Sequence, residues 1–393
     1  MHDLTQKHLF IFDPVPFAGG SKVATNTILT AYPRQQLAIT LVTAHVDSWH
    51  NVLETYGDQV TVRTLPYAEW FSHCNAKGFY LLTLYRFIVC FWHVLTCPKI
   101  DVLIGSTQPG SDMAIYGLKW LFSIPVLQLV HGPVGNSRSV GKCLQFADEV
   151  HYLNSTKDSI TTALSTLNLT LDDIHHYPFS NGLADNDWPT ASRHQQMRVL
   201  WAGSLLKWKR LDVLLEALPK ITPPIITDIC YIQPSNPSLV SDATDPITYK
   251  DMANIQWHQQ PDNFDQIRAH CSIFVSTSER EPFGLAILEA MAAGLCPVIP
   301  QDGAYWDQQL SDGKNCLKYR PADSVDLANA ITKLAANPTL TQRLAQSAQA
   351  VAAGYKADTC YQGIYQGIDR LVNRNPNYCH KTITTKQQVT RDE

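Results

Sequence analysis

Two Rossmann-like α/β domains, each built on a parallel sheet and facing one another across a cleft, are expected from three features of this 393-residue sequence. Short apolar runs alternate with helical stretches through the first half, a polar stretch interrupts them, and the same alternation then restarts. Such alternation implies a parallel sheet covered on both faces. The length suits two domains of ordinary size, and 45% hydrophobic with 17% charged residues is a globular composition.

In the first half, strands are expected at His8–Phe12, Ala38–Val42, Gln59–Thr64, Asp101–Gly105, Pro125–Val130 and Glu149–Leu153. Helices fit between them at about Ser21–Ala31, Phe79–Leu95, Asp112–Phe122, Gly141–Ala147 and Ser155–Leu167. The polar run Ser180–Gln196 reads as a linker. Beyond it come strands at Met197–Trp201, Asp228–Ile232, Ile255–His258, Ser272–Val275 and Cys296–Ile299, with helices at Leu211–Leu218, Val325–Ala335 and Thr339–Ala353. The expected domains are therefore 1–185 and 186–357, with a last helix at 358–374 packing back on the first domain and a polar tail at 375–393.

Residues 276–300, STSEREPFGLAILEAMAAGLCPVIP, carry the densest chemical signal. A strand leads through a polar loop into a helix opening near Pro282 to Gly284, because proline is tolerated in a first helical turn. Gly294 ends that helix, and Pro297 and Pro300 forbid its resumption. Leu285, Leu288 and Ala292 form its expected buried stripe, while Ala286, Ala290 and Ala293 keep its other faces thin. Glu281 stands just before the helix and Glu289 within it, roughly 12 Å apart if the span is helical throughout. A helix N-terminus beside a glycine offers backbone N–H groups and the positive end of the macrodipole to a diphosphate.

Bulk properties exclude several classes. A net charge of −4 argues against a nucleic-acid partner. Ten scattered cysteines without a Cys-x-x-Cys pair read as reduced core residues of a cytoplasmic protein, not as a disulfide frame or metal site. The N-terminus lacks the order of a signal peptide. The apolar stretch Gly78–Cys97 has a spanning length but contains Arg86 and His93, so it reads as a buried or interfacial helix and not as a transmembrane anchor.

Three further clusters follow expected strands. Gly19 and Gly20 precede a helix and let the backbone approach an anion or sugar, without forming a Gly-x-Gly-x-x-Gly fingerprint. His131-Gly132 puts an imidazole at a strand's carboxyl end. Gly203-Ser204-Leu205-Leu206-Lys207-Trp208-Lys209-Arg210 is a glycine turn followed by cations at a helix start, where Lys209 would face a phosphate as a point charge.

Taken together, these residues resemble family four of the retaining glycosyltransferases, which have the GT-B fold. Gly203–Ala217 and Ser276–Val298 carry most of the resemblance; Gly19-Gly20, His131-Gly132, Ala147-Asp148 with Ser155, and Asn181-Gly182 extend it over roughly Leu9 to Leu371. The resemblance implies an N-terminal acceptor domain and a C-terminal domain for a nucleotide-sugar donor. Lys209 would bind the diphosphate, Glu281 the donor sugar and Glu289 the ribose; His131 would lie near the sugar. Gly20, Phe283 and Gly284 would present backbone N–H groups, with Gly19, Gly203, Pro282 and Leu285 completing the donor site. Ser204 departs from the family's usual arginine, with Lys207 or Arg210 as candidate replacements, and Gln233-Pro234 stands where a glycine is common.

The implied activity is metal-independent transfer of a hexosyl group, with retention, to a glycan or lipid-linked acceptor in surface polysaccharide or glycolipid synthesis. No cofactor and no metal are implied. The expected location is cytoplasmic, with a peripheral contact at the inner membrane face where the acceptor carries lipid. A phosphorylase or nucleotide-sugar epimerase, or a degenerate nucleotide-sugar-binding subunit, stays open as an alternative.

Overall fold

The computed structural model describes residues 6–32, 37–66, 76–194, 196–233 and 254–374. Pro234 and the expected tail at 375–393 lie outside them. The described residues form two compact units, one within 6–180 together with 358–374 and one within 181–357.

In the first unit, β1 (Lys7–Asp13), α1 (Gly20–Thr30), β2 (Leu37–Thr43), α2 (His50–Tyr56) and β3 (Val60–Thr64) precede α3 (Ala76–Thr96) and β4 (Val102–Gly105). Then come α4 (Met113–Phe122), β5 (Val126–Val130), α5 (Arg138–Phe146), β6 (Glu149–Leu153), α6 (Lys157–Ser165) and β7 (His176–Phe179). The strands pair in parallel in the order β3-β2-β1-β4-β5-β6-β7. The central strands are buried along their whole length, as a sheet covered on both faces requires.

The second unit repeats the plan with β8 (Arg198–Ser204), α7 (Leu211–Ala217), β9 (Ile226–Ile232), β10 (Ile255–Gln259), α8 (Phe264–His270) and β11 (Ile273–Val275). It continues through α9 (Leu285–Ala292), β12 (Cys296–Pro300), α10 (Tyr305–Gln309), β13 (Leu317–Tyr319), α11 (Ser324–Ala335) and α12 (Pro338–Ala352). Its parallel order is β10-β9-β8-β11-β12-β13. The chain then enters α13 (Ala357–Cys360) and α14 (Gln362–Arg374), and α14 packs on β4, β5 and β7 of the first unit. Arg370 holds it there by donating to both oxygens of Glu149, at 2.8 and 2.9 Å.

The sequence pattern misses α2, α8, α10, β7 and β13, all short, where periodicity has too few residues to register. Two local expectations are corrected. The helix expected to open at Pro282–Gly284 begins at Leu285, because Gly284 has φ +80° and cannot belong to a right-handed turn. Its buried stripe also differs: Leu285 is only half-buried, while Ile287, Leu288, Ala290, Met291 and Ala292 are buried, since α9 is enclosed by α12 and β12. The polar run expected as a linker is laid along the second unit. Leu183 bridges Lys356, Ser192 N–H donates to Ala293 O at 2.7 Å, and Arg193 N–H donates to Ala269 O at 2.9 Å.

Candidate active site

Strand β8 delivers Gly203 and Ser204 to the carboxyl end of its sheet, and Lys207–Lys209 then turn once as a 3-10 helix. A side chain at Gly203 would meet the Trp201 ring at 3.3 Å and Lys209 Cδ at 3.7 Å, so the bare glycine leaves the lysine stem its path. Arg210 follows with φ +49°, ending the turn before α7 starts. Its guanidinium closes on Asp212 at 3.0 Å, which raises the arginine's pKa through that hydrogen bond.

The loop after β11 is fastened to this turn at two points and to β8 at a third. Thr277 Oγ1 donates to Lys209 O at 2.7 Å while accepting from Trp201 Nε1 at 2.9 Å, and Glu279 N–H donates to Trp208 O at 2.8 Å. Fixed this way, Lys209 Nζ forms an ion pair with Glu281 Oε2 and lies 4.2 Å over the Trp208 ring. Both partners are mostly buried, with side-chain exposures of 18% and 15%, so their mutual attraction is screened less than that of a surface pair.

From Glu281 the chain turns through Pro282 and Phe283 into α9. Gly284 is required here on two grounds: its φ is +80°, and an added Cβ would sit 2.9 Å from Ile287 Cδ1 and 3.0 Å from Glu281 Cγ. No side chain caps this end of α9. Phe283 is 3% exposed, its ring packed on Tyr305 and Trp306 with centroids 4.8 and 5.3 Å away. Trp306 Nε1 donates to Gly284 O at 3.2 Å. Glu281, Ser276, Ser278, Ile287, Asp302 and Trp306 line a small hollow beside the turn. Asp302 pins the loop by accepting from Arg280 N–H at 2.8 Å and Ala304 N–H at 2.9 Å.

Glu289 is not part of the Lys209 pair. Its carboxylate accepts from Arg268 of α8 at 2.7 Å, and Arg268 also donates to Asp265 at 2.6 Å. Burial raises the Glu289 pKa, opposed by the charge and hydrogen bond of Arg268. The carboxylate therefore sits ready, half-buried, with one cation already in hand.

In the first unit, Gly19 caps α1 with extended backbone and open space around its Cα, and Gly20 is the first helical residue. His131 follows β5 and meets the same helix, its Nε2 3.3 Å from Thr25 Oγ1. The Phe179 ring stands edge-on 5.5 Å away. Burial lowers the His131 pKa to about 4, so the imidazole is neutral at pH 7, and its buried Nδ1 has no hydrogen-bond partner among the described residues. Lys22, one turn into α1, points inward to a buried ion pair with Asp13 and donates to Val15 O at 2.6 Å.

Sequence reasoning singles out Lys209, Glu281, Glu289 and His131; around the first three the structure adds Thr277, Asp302, Trp306 and Arg268, which the sequence did not flag. No spacing rule flags these residues, because each reaches its partner through the tertiary fold. Among the described residues, no group of three or more His, Cys, Asp or Glu could hold a metal ion.

Residues 184–351 match the family model described as glycosyl transferases group 1. No curated protein matches the sequence. Among solved structures, HepE of Anabaena in complex with UDP and glucose superposes with a TM-score of 0.70 at 19% identity, covering 93% of this chain and 99% of that one. Sucrose-phosphate synthase of Thermosynechococcus elongatus gives 0.71 at 14% identity, covering 94% and 98%. The pneumococcal O-GlcNAc transferase GtfA in complex with UDP and GlcNAc gives 0.68 at 11%, covering 94% and 99%. At these identities the likeness shows the fold.

Proposed function

We propose, for a chain whose residues 184–351 form a group 1 glycosyltransferase domain and whose two parallel sheets have the GT-B fold, that it moves a sugar from a nucleoside diphosphate to an acceptor hydroxyl with retention. The observation that carries this reading is the Lys209–Glu281 pair beside the uncapped N-terminus of α9. An ammonium has three donors and a carboxylate several acceptor sites, so their pairing uses only part of either. Lys209 keeps donors for a diphosphate, and Glu281 keeps acceptor capacity for sugar hydroxyls.

As the glycosidic bond breaks, positive charge develops on the sugar and negative charge on the departing diphosphate. Lys209 and the α9 amides near Phe283 and Gly284 stabilise the leaving group; losing one such donor typically costs about 10²–10³ in rate. The departing phosphate oxygen takes the acceptor's proton while the acceptor oxygen bonds to the anomeric carbon on the same face. Glu289 would receive the ribose hydroxyls. His131, neutral at pH 7, would hydrogen-bond the sugar without placing a second positive charge near the oxocarbenium. Because protein groups supply the positive charge, we expect no divalent-metal requirement.

Arg210, committed to Asp212, is a weak candidate to replace the arginine absent at Ser204. That leaves the phosphate load on Lys209, with exposed Lys207 as the remaining candidate beside it. UDP in HepE and GtfA makes a uridine diphosphate sugar the first donor to try. A glycan or lipid-linked acceptor in surface polysaccharide or glycolipid synthesis completes the proposal. The test is product formation from a panel of nucleotide sugars with and without acceptor, with anomeric configuration read by NMR. An inverted product, or full activity in Lys209→Ala or Glu281→Ala, would refute it.

A further inference from the structure

Helix α3 is apolar on two sides, and only one of them is covered. Cys90 is fully buried in the first unit's core, with Phe87, Phe91 and Val94 packed against that core. The fit is close: a side chain at Gly117 of α4 would meet the Phe87 ring at 2.8 Å. On the outer side, Leu81, Leu84, Ile88, Trp92 and Leu95 are 47–62% exposed. At 100° per residue these positions fall within about 80° of one another, a single stripe along the helix. Arg86 and His93 fall well off that stripe, and Arg86 donates inward to Pro14 O at 3.3 Å. The stripe is thus unbroken by charge. Trp120 at 76%, Leu121 at 47% and Phe146 at 42% expose further apolar surface on α4 and α5, helices packed in sequence beside α3.

Charge gives this face a sign. Helices α3, α4 and α5 carry no Asp or Glu, and α5 exposes Arg138 and Lys142, in a chain whose net charge is −4. Exposed Arg138 adjoins Ser139, whose hydroxyl lies 2.8 Å from Tyr80 Oη at the start of α3. Lys99 is exposed just past the end of α3, 3.9 Å from Asp101, whereas Lys119 is taken up by an ion pair with Asp148 at 2.6 Å and stacks on Phe146.

We propose that this face docks the protein on an anionic bilayer surface, with the α3 stripe, Trp92 and Trp120 in the headgroup-acyl boundary and the cations against lipid phosphates. Gly78–Thr96 is long and apolar enough to cross a membrane by length and composition. Its fully buried Cys90 and its packing on α4 keep it in the fold, so it lies in the interface rather than spanning. A second copy of the chain is disfavoured as the occupant, because a twofold contact would bring like-charged helices together. This inference does not depend on the proposed chemistry.

The test is co-sedimentation of the full chain with vesicles of phosphatidylcholine alone or in equal parts with phosphatidylglycerol, with solution mass measured in parallel. Binding to the mixed vesicles should exceed that to neutral ones by about ten-fold and weaken with salt, as attraction to anionic lipid requires. Ile88→Glu with Trp120→Glu should abolish binding while circular dichroism is unchanged. Arg138→Glu with Lys142→Glu should reduce binding to the neutral-vesicle level. No binding to mixed vesicles, equal binding by the Ile88→Glu/Trp120→Glu variant, or a lipid-free dimer that this variant dissociates would overturn it. Loss of sugar transfer with binding intact would sink the enzymatic reading alone.

Discussion

Replacing Gly284 by alanine tests the turn that joins Glu281 to α9. Two costs can be worked from the structure. A non-glycine residue at φ +80° loses about 1 kcal/mol or slightly more. The new methyl, 2.9 Å from Ile287 Cδ1 and 3.0 Å from Glu281 Cγ, adds an overpacking cost of about 1–2 kcal/mol. For a unit of this size each kcal/mol lowers Tm by roughly 2–4 °C, so a fall of about 4–12 °C is expected. Gly313 is the control: it has φ +68° and no atom within 4 Å of an added Cβ, so Gly313→Ala should show the backbone cost alone. The two variants differ most in function. Relief of the Glu281 contact moves that carboxylate off Lys209, and misplacement on this scale costs about a hundred-fold in kcat/KM. Thermal unfolding by circular dichroism, titration with UDP and initial-rate kinetics measure all three effects. If Gly284→Ala binds UDP and turns over like Gly313→Ala, the turn is not the donor grip.

Lys209→Ala should lower kcat/KM by about 10²–10³ with the fold intact by circular dichroism; a loss of secondary structure instead would make the Lys209–Glu281 pair a stabilising element. Arg268→Ala should destabilise by about 3 kcal/mol, since it leaves the Glu289 carboxylate without its cation. Because Glu289 already has a raised pKa, its ionised form is the one penalised in the fold. The Glu289 part of the deficit should therefore grow as pH rises above that raised value and shrink in acid; a deficit independent of pH in urea titrations would contradict this. The depressed His131 pKa works the other way. The unfolded chain takes up this proton near pH 6.5 and the folded protein only near 4, so up to about 3 kcal/mol of stability should be lost as pH falls between those values. His131→Gln should flatten that limb of the stability-pH curve.

The sequence alone determined the two-unit α/β plan, because apolar runs such as LFIF in β1 and CPVIP in β12 carry their burial in their composition. It also pointed to Lys209 and Glu281 through ordered motifs, and Gly284 marked itself by chemistry, since only glycine takes that backbone at little cost. Tertiary structure alone decided which groups those side chains meet. Glu289 pairs with Arg268 from a helix too short to read, Lys22 turns inward to Asp13, and Trp306 and Asp302 brace a loop more than fifteen residues distant in sequence. It also decided that one side of α3 is packed and the other bare. Periodicity reports how apolar a residue is, whereas a partner is set by where strands and helices far apart in the chain come to lie, and no local pattern encodes that.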